Sequence, residues 1–288
     1  MDGIINLYKP PGITSHTAVA KVRRILQMKK VGHTGTLDPD AQGVLPICLG
    51  KGTKVSGMLT DTDKAYRAVV RFGVTTDTQD MSGTVLTQCN PHVTQEDLLD
   101  ILPRFTGEIQ QIPPMYSAVK IGGKKLYELA RQGAEVERQP RTIIIYELQL
   151  TAFYGDHATL EVSCSKGTYI RTLCHDIGQA LGCGAAMEQL TRTRSGVFCL
   201  EDSVTLETLE QDPLLHIIPV DKLFQQYPAY LVNAKQERLV VNGVSIYASN
   251  AQIGQTYRVY NAAGAFLCLS TCIEINGKRC LQLTKAFY

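Results

Sequence analysis

Residues 32–45 read G-H-T-G-T-L-D-P-D-A-Q-G-V-L and combine residue types that suit a catalytic loop. Asp38 lies among glycine, threonine and histidine residues, so we expect its carboxylate on a tight turn at a concave surface. Glycine permits positive φ and lets another molecule approach the backbone, whereas Pro39 keeps Asp38 extended. The same residues suit an ordinary hairpin turn with a turn-favouring aspartate, so this segment alone leaves both interpretations open.

Three further segments favour the catalytic interpretation. They read N-L-Y-K-P-P-G-I-T-S (6–15), P-P-M-Y-S-A-V-K (113–120) and S-C-S-K-G-T-Y-I-R-T-L (163–173). With the Asp38 loop, and in this order, they resemble the bacterial tRNA pseudouridine-55 synthase family, which isomerises one uridine in the T-loop of tRNA. The resemblance covers roughly residues 1–200 and makes Asp38 the catalytic aspartate. The family usually has an apolar residue where this chain has Asp40.

The reaction that the resemblance implies cleaves the glycosidic bond of uridine, rotates the uracil and rejoins it to the sugar through carbon 5. This needs no redox step and no phosphate energy, so we expect neither cofactor nor metal. Asp38 can act as a nucleophile or as the base that removes a sugar proton, and the sequence does not choose. The family pairs the equivalent of Arg171 with its aspartate, and it places the hydroxyl of the equivalent of Tyr169 nearby.

The resemblance also implies residues that bind the substrate. Tyr66 matches the residue that stacks on the uracil, and Leu190 matches the one that covers its face. His33 matches the side chain that enters the T-loop where the flipped base was. Lys9 and Pro10 match a pair that supports the catalytic loop. By residue type alone, a strand tyrosine such as Tyr66 is more often core or cross-strand packing, and Leu190 also suits the core of a helix.

A basic stretch with interleaved aromatic residues follows the second motif, and this mixture suits a nucleic-acid backbone with exposed bases. Its members are Lys120, Lys124, Lys125 and Arg131, with Tyr116 and Tyr127 among them. The net charge of the chain is only +2, so affinity for RNA must come from such local patches. Residues 1–31 carry six basic side chains and one acidic one, whereas residues 201–224 carry the reverse. One face is therefore expected to meet phosphates.

Cysteine use and hydropathy bear on the cellular compartment. Nine cysteines without a C-x-x-C pair argue against a disulfide framework and a zinc site. We find no secretory signal and no apolar run of the roughly 20 residues that cross a bilayer. Gly182 and Gly184, followed by an expected helix, form half of a dinucleotide motif, but Met187 replaces the third glycine. We expect a cytoplasmic monomer without nucleotide cofactor, membrane contact or protein partner.

Periodicity predicts an α/β (α+β) domain at residues 1–222. Helices are expected from a cap at Thr14 or Ser15 to about Met28, from Thr94, at 125–132 and at 171–181, and strands at 65–74 and 158–164. From Pro228 the pattern changes to short apolar runs, at 239–241, 256–260, 266–269 and 279–283, separated by glycine turns. These runs predict a small β-barrel at 228–288, which resembles the PUA-like RNA-binding module of the family.

Two other classes of function compete with the enzyme. One is a tRNA-binding or folding-helper protein that uses the same basic cleft without chemistry. Such a protein gains nothing from an acid at Asp38, because a carboxylate repels phosphate. The other is an aspartate-based hydrolase, which needs a second acid or a metal cluster. Asp40 is the one candidate acid, and no set of metal-ligating residues surrounds it.

Overall fold

The computed structural model describes residues 1–288. The strands are β1 (Gly3–Lys9), β2 (Val31–His33), β3 (Gln42–Leu49), β4 (Lys64–Phe72), β5 (Val74–Thr76), β6 (Val85–Gln88), β7 (Gly107–Gln111), β8 (Lys120–Ile121), β9 (Lys124–Lys125), β10 (Arg141–Tyr154), β11 (His157–Cys164), β12 (Ala185–Ser195), β13 (Phe198–Cys199), β14 (Ala229–Leu231), β15 (Ile246–Tyr247), β16 (Thr256–Tyr260), β17 (Phe266–Ile275) and β18 (Lys278–Ala286). The α-helices are α1 (Ser15–Leu26), α2 (Ser56–Thr60), α3 (Gln95–Ile101), α4 (Leu126–Ala130), α5 (Ile170–Ala180), α6 (Leu206–Gln211) and α7 (Ala234–Val241).

A nine-stranded sheet forms the scaffold of the larger part of the chain. Its strands follow the order β1-β3-β12-β4-β11-β10-β7, with β2 also paired to β3 and β13 to β12. All pairs are antiparallel except β12 with β3, which run parallel. Because β12 lies between β3 and β4, three segments distant in sequence meet at the centre of the sheet. The mixed α/β architecture predicted from the sequence is confirmed.

Two helices that carry site residues cover this sheet. The hydroxyl of Thr14 accepts a hydrogen bond from the Thr17 amide and caps α1, as predicted. In α5, Leu173 and Ile177 are fully buried, and the chain leaves the helix at Gly182, whose φ of 74° suits glycine. The buried faces of both helices join the main hydrophobic core. Both predicted helices are therefore present, and each packs an apolar face against the sheet.

The segment after Gly184 is a strand, so the expectation of a helix there was wrong. Residues 185–195 form β12, and Leu190 pairs with Ala68 of β4. The apolar start of β12 is buried in the middle of the sheet. A strand covered on both faces loses the alternation that identifies strands in a sequence, which explains the error.

The C-terminal region contains a five-stranded sheet in the order β14-β16-β17-β18-β15. The β-rich character is as predicted, but the edge strands β14 and β15 do not pair with each other. The run 239–241 belongs to helix α7 and not to a strand. Asn233 caps this helix and exchanges hydrogen bonds with Gln236, a local signal that outweighs three apolar residues in a row.

A hydrophobic cluster joins the two sheets. Phe266 and Phe287 of the C-terminal region stack at a centroid distance of 5.1 Å, and they pack with Ile4 and Val44 of the large sheet. A separate cluster fills the interior of the C-terminal region itself. None of the helices has the length and hydropathy to span a membrane.

Candidate active site

Asp38 lies in the loop between β2 and β3, and two buried side chains fix the residues on either side of it. The Ser15 hydroxyl accepts a hydrogen bond from the Leu37 amide (2.9 Å) and donates one to the Leu37 carbonyl (3.0 Å). The Lys9 ammonium donates to the Pro39 carbonyl (2.9 Å). The first turn of α1 and the end of β1 therefore hold the loop from both sides of the aspartate.

Lys9 is fully buried, and all its hydrogen bonds go to carbonyl groups. Besides Pro39, it donates to Pro10 (2.9 Å) and Ile13 (2.7 Å). Burial lowers the pKa of Lys9 to about 8, against the opposing charges of Asp40 and Asp38. Lys9 thus lies beneath the Asp38 loop, and Pro10 follows it at the end of β1.

Arg171 faces Asp38 with two guanidinium nitrogens. Its Nε lies 3.0 Å from Oδ2 and its Nη2 lies 3.5 Å from Oδ1 of Asp38. Its side chain is 7% exposed, against 40% for Asp38. The guanidinium also donates to the carbonyls of Thr78 (3.2 Å) and Tyr116 (3.0 Å). As the second residue of α5, Arg171 joins three loops, whereas Asp40 forms no ion pair with it.

Asp80 is a site residue that the sequence reading missed. Its Oδ2 lies 3.4 Å from Nη1 of Arg171, and its side chain is 15% exposed. The other oxygen, Oδ1, accepts hydrogen bonds from the hydroxyls of Thr78 (2.7 Å) and Ser82 (2.5 Å). The only sequence signal was an aspartate two residues before a serine, which is the pattern of an ordinary Asx turn.

The two carboxylates compete for one arginine. Burial raises the pKa of Asp38, Arg171 opposes this rise, and the negative charges of Asp80 and Asp40 add to it. Although 40% of its side chain is exposed, the carboxylate is therefore held less acidic than a free aspartate. A carboxylate with a raised pKa is a stronger base than an ordinary surface aspartate.

Three further predicted residues come from the sheet and from α5. Tyr66 lies half-buried on β4 opposite Arg192, and Leu190 is 8% exposed on β12. Tyr169 precedes α5, and its amide and carbonyl bind both ends of the Gln111 side-chain amide, at 2.8 and 3.0 Å. The phenol hydroxyl of Tyr169 has no hydrogen-bond partner in the protein, unlike a structural core tyrosine.

His33 ends β2 and lines a cavity of about 290 Å³ together with His16 and Arg23. The two imidazole rings meet edge to face at 5.8 Å. Burial lowers the pKa of His33, and the neighbouring His16 and Arg192 lower it further. A neutral ring beside Gly32 can pack against a base without the cost of removing water from a charge.

The basic stretch forms a hairpin and a short helix. Lys120 pairs with Lys125 across β8 and β9, and Lys124 lies exposed at the turn. The Tyr127 ring is flanked by Lys125 at 5.3 Å and Arg131 at 5.6 Å. This hairpin starts four residues after Tyr116, whose carbonyl binds Arg171. A short segment of chain therefore links the basic hairpin to a residue that binds Arg171.

Comparison with known protein families identifies the family of this chain. The profile described as "TruB family pseudouridylate synthase (N terminal domain)" matches residues 23–170. The chain belongs to this family. A second profile, "tRNA pseudouridylate synthase B C-terminal domain", matches residues 171–224. The resemblance drawn from the four motifs is thus confirmed, and the chain is an enzyme of the isomerase class. The alternative interpretation, a tRNA-binding or folding-helper protein without catalytic activity, is therefore rejected.

Curated relatives and solved structures agree with this assignment. The chain is 47% identical to "tRNA pseudouridine synthase B" of Alkaliphilus oremlandii over 271 residues, covering 90% of each chain. It is 49% identical over 249 residues to the protein of the same name from Symbiobacterium thermophilum, covering 85% of this chain and 83% of the other. It also resembles a chain in a Cbf5-Nop10-Gar1 complex, with 29% identity, a TM-score of 0.72 and coverage of 99% and 85%.

Proposed function

We propose that this pseudouridine synthase isomerises uridine 55 in the T-loop of tRNA and that Asp38 is its catalytic aspartate. The relatives named tRNA pseudouridine synthase B support the tRNA substrate. The observation that carries the assignment of the acid is the two-point contact between Arg171 and Asp38. Asp40 is exposed and lacks this contact.

The geometry supports a division of roles. The bond between the sugar C1′ and uracil N1 breaks, a bond from C1′ to C5 forms, C5 loses its proton and N1 gains one. Asp38 acts either as a nucleophile or as the base for a sugar proton, and in both roles its carboxylate must be ionised. Arg171 favours the ionised form because it never loses its charge and offers a planar fork. Tyr169 contributes a free hydroxyl beside the start of α5.

The flipped uracil stacks on Tyr66 under this proposal, with Leu190 against its other face. Both residues lie on adjacent central strands, which fixes the separation between them. His33 fills the place that the uracil leaves in the T-loop, which offsets part of an unstacking cost of a few kcal/mol. Lys9 and Pro10 hold the Asp38 loop from below.

Phosphate contacts come mainly from the catalytic part of the chain. The proposed RNA surface combines α1 with the basic hairpin and the end of α4, which carry Lys120, Lys124, Lys125 and Arg131. Residues 1–222 form the catalytic domain and residues 228–288 a PUA-like module that meets a more distant part of the tRNA. The five-stranded sheet with its own hydrophobic cluster supports this second unit.

A tritium-release assay tests the proposal. A tRNA transcript with tritium at carbon 5 of its uridines should release label to water in proportion to the pseudouridine formed. An otherwise identical transcript with cytidine at position 55 should release none, and an isolated T-arm hairpin should suffice as substrate. Release that persists in the cytidine-55 transcript would show that another uridine is the target.

We also propose that the enzyme works as a monomer in the cytoplasm. All nine cysteines are free, and five of them are buried in the core clusters, namely Cys48, Cys164, Cys174, Cys268 and Cys272. Such thiols suit a reducing compartment. Light scattering on the purified protein at assay concentration should give the mass of one chain of 31.7 kDa, and a mass near twice that value would contradict the monomer.

A further inference from the structure

Arg192 is the largest fully buried side chain of the protein, with 1% of its surface exposed. No carboxylate oxygen lies within 4.0 Å of its guanidinium. A buried cation without an acidic partner is costly, because the loss of water is not offset by a nearby opposite charge. The burial of Arg192 without an acidic partner therefore requires an explanation beyond packing.

The guanidinium of Arg192 binds both ends of the loop that carries Asp38. Its Nε donates to the Val44 carbonyl at 2.7 Å and its Nη2 donates to the Gly35 carbonyl at 3.1 Å. Gly35 precedes the aspartate, whereas Val44 follows it in β3. The arginine thus spans the base of the loop from the neighbouring strand β12.

The backbone of Arg192 packs against the same loop. Arg192 pairs with Gly43 in the parallel pairing of β12 with β3. Gly43 has a φ of 104°, and a Cβ atom there would collide with the Arg192 backbone. A side chain at residue 43 would therefore push the loop away from β12. Main chain and side chain together fix the position of the loop.

Tyr66 lies directly across from Arg192 in the antiparallel pair of β12 and β4. Residues paired across two strands project from the same face of the sheet, so the phenol and the guanidinium are neighbours. Burial raises the pKa of the Tyr66 phenol, and the charge and hydrogen bonding of Arg192 oppose this rise. Arg192 therefore binds the loop of the acid and is paired across the sheet with the residue proposed to stack on the uracil.

We propose that Arg192 is a positioning residue for the isomerisation, setting the distance between the Asp38 loop and the Tyr66 ring. The inference rests on the proposed roles of Asp38 and Tyr66. A planar guanidinium can bind two carbonyls and a phenol at once and stays charged in a dry site. A lysine at this position offers one nitrogen, which cannot reach all three groups with the same geometry.

Arg192→Lys and Arg192→Met, assayed in single turnover with tritiated tRNA, test this role. We expect the rate to fall about 100-fold, because a shift of about 1 Å in a reacting group has this effect. The dissociation constant for tRNA should stay within about threefold of wild type, since Arg192 does not reach the RNA. Arg194→Met is the matched control on the same strand, because Arg194 binds Ser163 and Gly196 and not the loop.

A double-mutant cycle with Tyr66→Phe separates positioning from a general loss of stability. If Arg192 acts through Tyr66, the loss of the phenol hydroxyl should cost less in the Arg192→Lys background than in wild type. Additive losses, rates within about threefold of wild type, or equal losses for the Arg194 control would overturn the proposal. So would failure of both Arg192 variants to fold, because Arg192 would then be a residue of the folding core alone.

The same assay distinguishes this inference from the proposed function. If wild-type enzyme releases no label that depends on uridine 55, the choice of substrate position is wrong. The Arg192 variants are then compared on the uridine that does react. If wild type acts at uridine 55 and the Arg192 variants keep its rate, only the inference about Arg192 fails.

Discussion

The ammonium of Lys9 and the carbonyl of Pro39 form a 2.9 Å hydrogen bond between residues thirty positions apart in the sequence. Pro39 follows Asp38 directly, so a buried lysine at the end of β1 determines where the aspartate lies. Three carbonyl groups share the three protons of this ammonium. The protonation state of Lys9 is therefore coupled to the geometry of the site.

The first prediction concerns alkaline pH. The folded-state pKa of Lys9 is lowered to about 8 from 10.5, so between these values the unfolded chain binds more protons than the folded one. The contribution of Lys9 to the free energy of unfolding therefore increases as pH rises from about 8 to 10.5. Below about pH 8 this contribution does not change with pH. Activity should nevertheless fall above about pH 8, because the neutral amine has only two protons for three carbonyls. In the pH-rate profile, Lys9→Arg should shift this alkaline loss to higher pH.

The second prediction concerns the acid itself. Asp38→Asn should abolish turnover and leave the tRNA dissociation constant within about tenfold, or 1.4 kcal/mol. Asp40→Asn should retain most of the activity, because it does not contact Arg171. If Asp40→Asn is the inactive variant, the wrong carboxylate has been assigned.

Removal of the Asp38 charge should also affect stability. The folded-state pKa of Asp38 is raised, so the folded protein disfavours its ionised form, and Asp38→Asn should keep or slightly raise Tm at neutral pH. Because the side chain is partly exposed, we expect at most about 2 °C, equivalent to less than about 1 kcal/mol. The difference should vanish as pH falls and wild-type Asp38 becomes protonated. A clear drop in Tm at neutral pH would show that the Arg171 pair outweighs burial.

The third prediction separates the two acids that contact Arg171. Asp80→Asn removes a negative charge that raises the pKa of Asp38, so the acidic limb of the pH-rate profile should move to lower pH. Turnover should fall about tenfold, because Arg171 loses one of its two anchoring carboxylates. Arg171→Lys should cost at least this much, since an ammonium cannot form the planar fork. An unchanged acidic limb in Asp80→Asn would mean that Asp80 only supports its turn.

The fourth prediction concerns the two RNA-binding surfaces. Lys124→Gln with Lys125→Gln should weaken binding of both full tRNA and a T-arm hairpin. Each lost phosphate contact should remove about 0.7 to 0.9 from the slope of log affinity against log salt. Lys235→Gln with Lys278→Gln in the C-terminal region should weaken only full tRNA. Equal losses for both RNAs in the second pair would place the C-terminal region at the T-arm.

Point substitutions serve this comparison better than removal of residues 228–288. Leu269 and Phe287 share a hydrophobic cluster with Ile4 and Val44 of the large sheet. Deletion would expose this cluster and destabilise the strand next to the Asp38 loop. A loss of activity would then report on folding and not on RNA contact.

Local patterns in the sequence determined much of this protein. The Thr14 cap, the apolar spacing of α1 and α5 and the alternation in β11 each depend on neighbours within a few residues, so their elements could be predicted. The four motifs likewise identified the family and brought Asp38 and Arg171 together as candidates. A pattern within a motif predicts structure correctly because it describes a single turn or a single strand.

Only the tertiary structure decided which distant residues complete the site. Asp80 meets Arg171 across a loop, and Arg192 meets Tyr66 because β12 inserts between β3 and β4, an order that no local propensity encodes. The buried start of β12 and the helix at 234–241 were misread for the same reason, since short apolar runs suit both states until burial is known. Sequence spacing specifies local conformation, whereas strand order and burial specify which distant charged residues become neighbours.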